Sequence, residues 1–268
     1  MTIQAKKHFG QNFIKDPGLI QKIVNLIPSS PEPGLVIEIG PGKGALTREL
    51  IKRFPQVVAI EIDSDLADYL ATTIDSPKLE IINEDVLEIN FEQLIQKYGK
   101  PNQPVYLISN LPYYITSPIL FQVFANSQIF HKAIFMMQQE VAQRLTAEKN
   151  EHNYNNLSVV ASFFGDKRYE FLVKSHYFQP QPKVDSAVIS LTFKNDFLQK
   201  VTNPDLFVAF VRQLFNNRRK TILNNLGTYL GDKQKAKLVL EQVKIDPQKR
   251  PENLGLTEFL EIFELLDS

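Results

Sequence analysis

One asparagine, one proline and two tyrosines stand together in Ser109-Asn110-Leu111-Pro112-Tyr113-Tyr114, directly after a short apolar run. The Asn110 amide oxygen can accept a hydrogen bond, and Pro112 biases Leu111 towards an extended backbone that presents its carbonyl outward. Two acceptors aimed at the N–H bonds of an aromatic amine would localise the nitrogen lone pair for attack on a methyl group. Tyr113 offers a face on which an extruded base can stack. The segment predicts methyl transfer to adenine N6, with Asn110, Leu111, Pro112 and Tyr113 as catalytic residues. A strand-ending asparagine before a proline turn is the alternative.

Three glycines follow an earlier apolar run, in Glu38-Ile39-Gly40-Pro41-Gly42-Lys43-Gly44. Glycine lets the backbone turn tightly and approach a ligand, and the helix expected after it directs its positive end to the same place. The third glycine comes one residue too early for the dinucleotide fingerprint G-x-G-x-x-G. That shift and the acidic Glu38 favour a small cationic nucleoside, S-adenosylmethionine, bound near Glu38, Gly40 and Gly42. A glycine-rich turn without a ligand is the alternative.

Two further acids follow the next two apolar runs. Glu61 comes 21 residues after Gly40, where a carboxylate can accept both hydroxyls of a ribose. Asp85 lies where a carboxylate can accept the exocyclic amine of a bound adenine. Either acid alone is more often a solvated loop residue. The glycine loop, Glu61 and Asp85 follow three successive strands, however, and together they predict one nucleoside site.

Short apolar runs alternate with helical patterns over the first 190 residues or so. The runs are mostly continuously apolar, as in strands covered on both faces, and they predict strands at Leu35–Ile39, Val57–Ile62, Leu79–Ile82, Val105–Ser109 and Ala133–Met137. Helices are expected between them, for example at Ala45–Arg53 and Leu66–Thr73. The alternation predicts an α/β fold with a doubly wound parallel sheet. Two later strands, Tyr169–Val173 and Ala187–Phe193, fit an antiparallel hairpin at the sheet edge, whereas Leu157–Phe164 fits either a helix or a strand.

After about residue 195 the spacing is helical throughout. The pattern predicts helices at Leu206–Phe215, Thr221–Leu230, Lys233–Val243 and Thr257–Leu266, with Pro204 and Thr257 as starts. We therefore expect a methyltransferase domain at residues 1–195 and a small all-helical domain at residues 196–268.

The net charge is zero, but its distribution along the chain is uneven. Residues 1–24 carry +3 and residues 194–250 carry +7, whereas residues 25–193 and 251–268 carry −5 each. A neutral catalytic body flanked by basic segments suits a nucleic-acid partner. Lysine-rich helix faces that are merely solvated explain the same charges equally well.

Composition excludes several classes of protein. The chain has no cysteine, so disulfides and thiolate metal sites are excluded. The first ten residues contain no apolar signal-peptide core, and no apolar run is long enough for a membrane span. We expect a cytoplasmic protein without a metal or a membrane partner.

The chain resembles the ribosomal RNA adenine N6,N6-dimethyltransferases throughout its length. The segments that carry this resemblance, besides the acids and motifs above, are Phe9-Gly10-Gln11-Asn12-Phe13-Ile14, Gln139-Glu140-Val141-Ala142-Gln143-Arg144-Leu145 and the run from Phe178 through Pro180, Pro182, Lys183, Val184 and Asp185 to Ser186. Ile14 stands where family members usually have leucine. The combination of motifs is highly specific.

The resemblance implies the fold of a class I (Rossmann-like) methyltransferase, S-adenosylmethionine as methyl donor, and cofactor contacts from Asn12 and the backbone near Ile14. It also implies transfer of two methyl groups to each of two adjacent adenosines in the 3′-terminal hairpin of small-subunit ribosomal RNA. We expect Phe178 to pack on the target adenine opposite Tyr113, although a core aromatic is the alternative. Lys183 could meet a phosphate.

The family has two branches, one acting on small-subunit RNA and one conferring macrolide resistance through large-subunit RNA. Asn110-Leu111-Pro112-Tyr113 before Ile115-Thr116-Ser117-Pro118 is similar to the first branch, and so is Phe215-Asn216-Asn217-Arg218-Arg219-Lys220-Thr221-Ile222. The basic residues Arg218, Arg219 and Lys220, together with Lys6 and Lys7, are predicted to contact phosphates. A solvated helix start is the alternative for the C-terminal run.

We therefore expect a monomeric enzyme that acts on small-subunit RNA within a ribosomal particle or its precursor. The rivals are a large-subunit methyltransferase of the resistance branch, a non-catalytic RNA-binding assembly factor, and a DNA adenine methyltransferase. The intact Asn110 and Tyr113 disfavour the assembly factor, and the basic C-terminal run disfavours the DNA enzyme.

Overall fold

The structure, a computed structural model, describes residues 6, 11–28 and 34–267. Its strands are β1 Phe13–Ile14, β2 Leu35–Ile39, β3 Gln56–Ile60, β4 Leu79–Ile82, β5 Val105–Asn110, β6 Lys132–Gln138, β7 Gly165–Val173, β8 Phe178–Gln179 and β9 Ser186–Phe193. Its helices are α1 Pro17–Val24, α2 Thr47–Arg53, α3 Ser64–Thr73, α4 Phe91–Tyr98, α5 Thr116–Ala125, α6 Gln139–Thr146, α7 Asn156–Phe164, α8 Pro204–Leu214, α9 Ile222–Leu230, α10 Lys233–Gln242 and α11 Leu256–Asp267.

Seven strands form one sheet in the order β4-β3-β2-β5-β6-β9-β7. Strands β2 to β6 run parallel to one another, and β9 runs antiparallel to β6. The chain builds outwards from β2 to β4, then returns to place β5 on the other side of β2. The direction in which successive strands are added therefore reverses between β2 and β5. A crevice that can bind a ligand opens outside the carboxyl ends of two such strands.

The predicted α/β fold is confirmed, and the central strands lie within two residues of their predicted bounds. Every residue of β2 is buried, as expected for a largely apolar strand covered on both faces, and this includes the acidic Glu38. The two later strands are neighbours at the sheet edge, as expected, with β7 outermost. The ambiguous run at Leu157–Phe164 is helical, in α7.

A second, two-stranded sheet pairs β1 with β8 antiparallel, and this pairing sets Phe13 opposite Gln179 and Ile14 opposite Phe178. Helix α1 follows β1 because Asp16 caps it and Pro17 occupies its first turn. Its buried face joins the apolar core of the large sheet through Leu19, Ile23 and Val24.

Contacts divide the chain into two compact units. The first contains Met1–Ala142 and Arg168–Phe193, and the second contains Gln143–Lys167 and Lys194–Ser268. The second unit thus includes a segment from within the predicted domain of residues 1–195, and the domain roles assigned to residues 1–195 and 196–268 stay predictions.

The core of the second unit explains this grouping. Phe163 of α7 packs against Phe207 of α8 at a ring-centroid distance of 4.6 Å, and Phe207 meets Phe263 of α11 at 5.4 Å. All four predicted C-terminal helices are present. Asn203 and Pro204 begin α8 as a cap and a first residue, whereas α11 starts one residue before the predicted Thr257.

Candidate active site

The carboxyl ends of β2, β3 and β5 surround an open cleft. The register pairs Ile39 with Ser109. Gly40, directly after β2, therefore lies beside Asn110 at the end of β5. The predicted residues that line this cleft are Asn12, Ile14, Glu38, Gly40, Gly42, Glu61, Asp85, Asn110, Leu111, Pro112 and Tyr113. The topology therefore brings together segments that are far apart in sequence.

The glycine loop after β2 turns through left-handed backbone. Gly40 has φ +65° and Gly42 has φ +57°, a region that side chains rarely adopt. A Cβ on Gly42 would lie 3.1 Å from the Phe13 ring, whereas a Cβ on Gly40 would meet open space. The loop thus packs on β1 at Gly42 and leaves room for a ligand at Gly40.

Glu38 is buried at the end of β2, where it accepts a 2.6 Å hydrogen bond from the Thr47 hydroxyl of α2. Burial raises the pKa of its carboxyl to about 8, against the lowering effect of the Thr47 bond and with a further increase from nearby Glu61. The carboxyl is therefore largely protonated near neutral pH. The raised pKa weakens the argument from negative charge for its predicted cofactor role, and that role stays a prediction.

Glu61 follows β3 with both carboxylate oxygens fixed by the backbone. The Gly42 N–H donates to Oε2 at 3.1 Å, and the Asp63 N–H donates to Oε1 at 3.0 Å. Burial raises the pKa of Glu61 despite these bonds. Each oxygen retains a second lone pair, so the carboxylate can still accept hydroxyl groups.

Asp63 is a functional candidate that the sequence reasoning missed. Its carboxylate is almost fully buried and accepts from Lys6 Nζ at 2.6 Å and from Gln11 Nε2 at 2.8 Å. Its place as the N-cap of α3 was the available signal. Lys6 lies 2.6 Å from Asp63 and 2.7 Å from Asp65, and its predicted contact with phosphate stays a prediction.

Asp85 begins the turn after β4. Its Oδ1 atom accepts from the Leu87 N–H at 2.9 Å, which fixes the carboxylate at the cleft edge. The turn does not use the other oxygen, Oδ2, so this atom can accept a hydrogen bond from an exocyclic amine.

Asn110 ends β5 with its side chain tied to the N-terminal segment. Its Nδ2 atom donates to the Asn12 carbonyl at 2.9 Å. Ser109 donates to the Ile39 carbonyl at 2.6 Å, and the Leu111 N–H donates to the Met136 carbonyl at 2.9 Å. Because β2 and β6 hold both neighbours of Asn110, its backbone position is fixed as well.

Tyr113 lies in the turn after Asn110, half-buried, with its hydroxyl 2.6 Å from the Ser186 hydroxyl. Burial raises the pKa of the Tyr113 phenol, so it stays neutral. Ser186 lies within a segment that carried the family resemblance, but the sequence alone gave it no role. This bond holds the ring of Tyr113 at a fixed angle.

Several predicted residues lie elsewhere. Phe178 is fully buried in the core, consistent with the core-aromatic alternative, and is not among the cleft-lining residues found in the described chain. Lys183 is exposed, also outside that lining. Stacking of Phe178 on a base would require its ring to move. The stacking of Phe178 and the phosphate contact of Lys183 both stay predictions.

In the second unit, Arg218 donates to the His152 and Tyr154 carbonyls at 3.2 and 2.9 Å and lies 3.5 Å from Glu252. Arg219 and Lys220 are exposed in the turn between α8 and α9. The buried Asn225 amide holds this turn through 3.2 Å bonds to the carbonyls of Asn217, Lys220 and Thr221. Lys7 lies outside the described residues.

No helix among the described residues is long and apolar enough to cross a membrane. No group of three or more histidine, aspartate or glutamate side chains among them could hold a metal ion.

Two solved structures are similar to this one over nearly its whole length. A dimethyladenosine transferase from Plasmodium falciparum has a TM-score of 0.76 and 28% identity, covering 93% of this chain and 95% of that one. The 23S rRNA methyltransferase ErmE has a TM-score of 0.72 and 26% identity, covering 96% and 100%. The fold and the cleft thus define a class I methyltransferase.

The sequence profile of the family described as ribosomal RNA adenine dimethylase matches residues 2–268, and this chain belongs to that family. Proteins named ribosomal RNA small subunit methyltransferase A are similar to it. Those of Mesoplasma florum and Mycoplasma capricolum are 51% and 50% identical, each comparison covering 98% of both chains. That of Streptococcus pneumoniae is 38% identical, covering 97% of this chain and 91% of the relative.

Proposed function

We propose that this enzyme transfers methyl groups from S-adenosylmethionine to the N6 amines of two adjacent adenosines in the 3′-terminal hairpin of small-subunit ribosomal RNA. Its substrate is the RNA within a ribosomal particle or its precursor, and the enzyme acts as a monomer. Since ribosomes of bacteria like the named relatives are cytoplasmic, we place the activity there. The observation that supports this proposal most directly is the tethered Asn110 amide beside the glycine loop.

The residues present fit S-adenosylmethionine. Glu61 offers two oriented oxygens to a ribose, Asp85 an acceptor to an adenine amine, and Gly40 open space where a side chain would intrude. Asn12 and the Ile14 backbone would complete the site with Gly42 and Asn110. When bound, the cofactor supplies an electrophilic methyl group on a sulfonium.

The chain's own groups prepare the nucleophile. The Asn110 amide nitrogen faces the Asn12 carbonyl, so its oxygen is the atom that remains for an amine N–H. With the Leu111 carbonyl as second acceptor, both N–H bonds of adenine N6 are held and the lone pair is directed towards the donor. Tyr113 supports the base by stacking, and catalysis rests mainly on this positioning.

RNA binding is assigned to exposed basic residues. Arg219 and Lys220 present two charges on a turn that Asn225 holds in place. Lys183 adds a third at another exposed turn. Lys6, Lys7 and Arg218 belong to the same proposal, although the bonds of Lys6 and Arg218 make them weaker candidates than Arg219 and Lys220.

The test is methylation of purified small subunits that lack the modification, followed by mapping of the modified bases. Label should appear as dimethyladenosine at two adjacent positions of the terminal hairpin, and Asn110→Ala should abolish it. Purified large subunits serve as the second substrate, because ErmE acts on 23S rRNA by its name. Label confined to large-subunit RNA would instead assign the enzyme to the resistance branch.

A further inference from the structure

The orientation of the Asn110 amide is set by a backbone carbonyl from outside the sheet. The Asn110 Nδ2 atom lies 2.9 Å from the Asn12 oxygen. A carbonyl oxygen only accepts hydrogen bonds, so the amide must turn its NH₂ group towards Asn12. Any displacement of the Asn12 carbonyl would therefore release the amide to rotate.

Gln11 fixes the backbone immediately before this carbonyl. Its Nε2 atom donates to Asp63 Oδ2 at 2.8 Å, and its Oε1 atom accepts from the Lys6 N–H at 2.8 Å. Both ends of the side-chain amide are thus bonded. The segment that carries Asn12 is held towards β3 on one side and towards β5 on the other.

Asp63 is a firm anchor for Gln11. Its side chain is 1% exposed, and its Oδ1 atom accepts from Lys6 Nζ at 2.6 Å and from the Asp65 N–H at 3.1 Å. Burial raises the pKa of Asp63, but the bonds from Lys6, Gln11 and Asp65 outweigh it and lower the pKa below its usual value. The anchor is therefore a charged acceptor at neutral pH, and charge-assisted bonds are the stronger kind.

The same anchor touches the predicted ribose site, because the Asp63 N–H donates to Glu61 Oε1 at 3.0 Å. A continuous series of bonds thus leads from Glu61 through Asp63 and Gln11 to the segment whose next carbonyl orients Asn110.

We propose that Gln11 is a positioning residue for methyl transfer: its bond to Asp63 holds the Asn12 carbonyl against the Asn110 amide and so keeps the amide oxygen directed at the target amine. This inference rests on the proposed function only for the identity of the amine. Gln11 itself takes no part in the chemistry.

The first test compares Gln11→Ala with Gln21→Ala. Gln21 also donates to a carboxylate, that of Glu49, but on the exposed face of α1. With small subunits as substrate, Gln11→Ala should lower kcat by about 10–100-fold, the size of effect expected from a misplaced catalytic group. The KM for the subunits should stay within about twofold of the parental value, since uniform binding is not lost. Gln21→Ala should match the parent.

The second test needs no substrate and no cofactor. In ¹⁵N-labelled protein, the Asn110 side-chain NH₂ signals are assigned by their loss in Asn110→Ala. In Gln11→Ala these signals should move towards the positions of a solvated amide and exchange faster with water. Gln21→Ala should leave them in place. Unchanged Asn110 signals in a folded Gln11→Ala protein would overturn the proposal, whatever the enzyme methylates.

The third test exchanges the donor and the acceptor of the hydrogen bond between Gln11 and Asp63. Gln11→Glu alone sets two carboxylates against each other, and Asp63→Asn alone sets two amides together. In the double variant, an asparagine NH₂ at position 63 can donate to a glutamate at position 11, and the asparagine oxygen can still cap α3. The double variant should recover at least about tenfold in kcat over either single variant, in keeping with a coupled pair. A double variant no faster than the slower single one would mean that the residues act separately, and the proposal would fail.

Discussion

At the scale of single residues, the site is built from side chains whose polar atoms are already bonded on one side. Glu61 is held by two backbone N–H groups, Asn110 by the Asn12 carbonyl and Tyr113 by Ser186. Each side chain therefore has a defined direction before any ligand arrives. Such preorganisation spares the ordering cost that binding would otherwise carry.

Replacing Glu61 with alanine should weaken S-adenosylmethionine binding while the protein stays folded. The lost charge-assisted hydrogen bonds should cost about 1.5–3 kcal/mol, or roughly 10–150-fold in Kd at 25 °C. Titration calorimetry measures this directly. Glu92→Ala, which removes an exposed acid in the first turn of α4, is the matched control and should bind normally. Equal affinities of the two folded variants would remove Glu61 from the site.

The buried Glu38 carboxyl should make stability depend on pH. Its pKa is raised from 4.5 to about 8 on folding, so the folded state binds one proton more than the unfolded state between these values. The stabilisation is complete below about pH 4.5 and is lost as pH rises through about 8. Per pH unit within that window, this group should lower the free energy of unfolding by about 1.4 kcal/mol.

Glu38→Gln keeps an acceptor for Thr47 and cannot ionise. Urea unfolding at pH 6 and pH 8 should therefore show a smaller loss of stability in this variant than in the parent. A parallel pH dependence in the two proteins would show that Glu38 is ionised in the folded state at both values.

Residue-level reasoning recovered the acids and amides at strand ends but not their partners. Glu61, Asp85 and Asn110 could be found because parallel strands bring their carboxyl ends to one edge. The bonds of Asp63 to Gln11 and of Tyr113 to Ser186 span 52 and 73 positions, so no local pattern signals them. For the same reason, the sequence did not reveal the ion pairs of Lys6 with Asp63 and Asp65, and it left burial of Phe178 in the core as one of two alternatives.

At the scale of elements, β1 packs on the glycine loop, and residues of both line the cleft. Lys43 lies over the Phe13 ring at 4.7 Å, and Gly42 approaches the same ring from the loop backbone. The short strand β1 is held in turn by β8.

Gly42→Ala should strain this contact. The φ of +57° costs an L-residue about 1–2 kcal/mol, and the new Cβ would press on the Phe13 ring. We expect a lower Tm and weaker cofactor binding. Gly255→Ala provides the control, since its Cβ would make only ordinary contacts at 3.6 Å or more and its φ lies outside the left-handed region. If Gly42→Ala lost no more stability than Gly255→Ala, the loop would not require glycine there.

Elements with strong periodicity were predicted well, and those defined by distant packing were not. The central strands are short, mostly apolar runs bounded by turn residues, and their predicted positions are confirmed. Leu157–Phe164 is equally apolar, but its helix is selected by a cap at Asn155 and by the contact of Phe163 with Phe207. Strands β1 and β8 have only two residues each, too few for any period to show.

At the scale of the whole molecule, charge is uneven although the total is zero. If Arg219 and Lys220 contact phosphates, replacing both with glutamine should weaken RNA binding and make the log–log salt slope shallower by about 1.4–1.8. Filter binding at several salt concentrations gives the slope. Cofactor affinity should not change.

The control replaces two exposed lysines of the acidic region, Lys97 and Lys100, with glutamine. This variant alters net charge equally but should keep the parental slope. Identical slopes in the two double variants would mean that the turn is merely solvated, and that RNA is recognised elsewhere.

The Asn12–Asn110 hydrogen bond joins positions 98 residues apart, and this separation bears on how the enzyme becomes active. A contact of such sequence separation closes a large loop, so we expect it to form late, after the strands between its ends have paired. A chain released from denaturant should regain its helices and its buried core before it regains an oriented amide. We therefore expect recovery of methyl transfer during refolding to trail recovery of secondary structure.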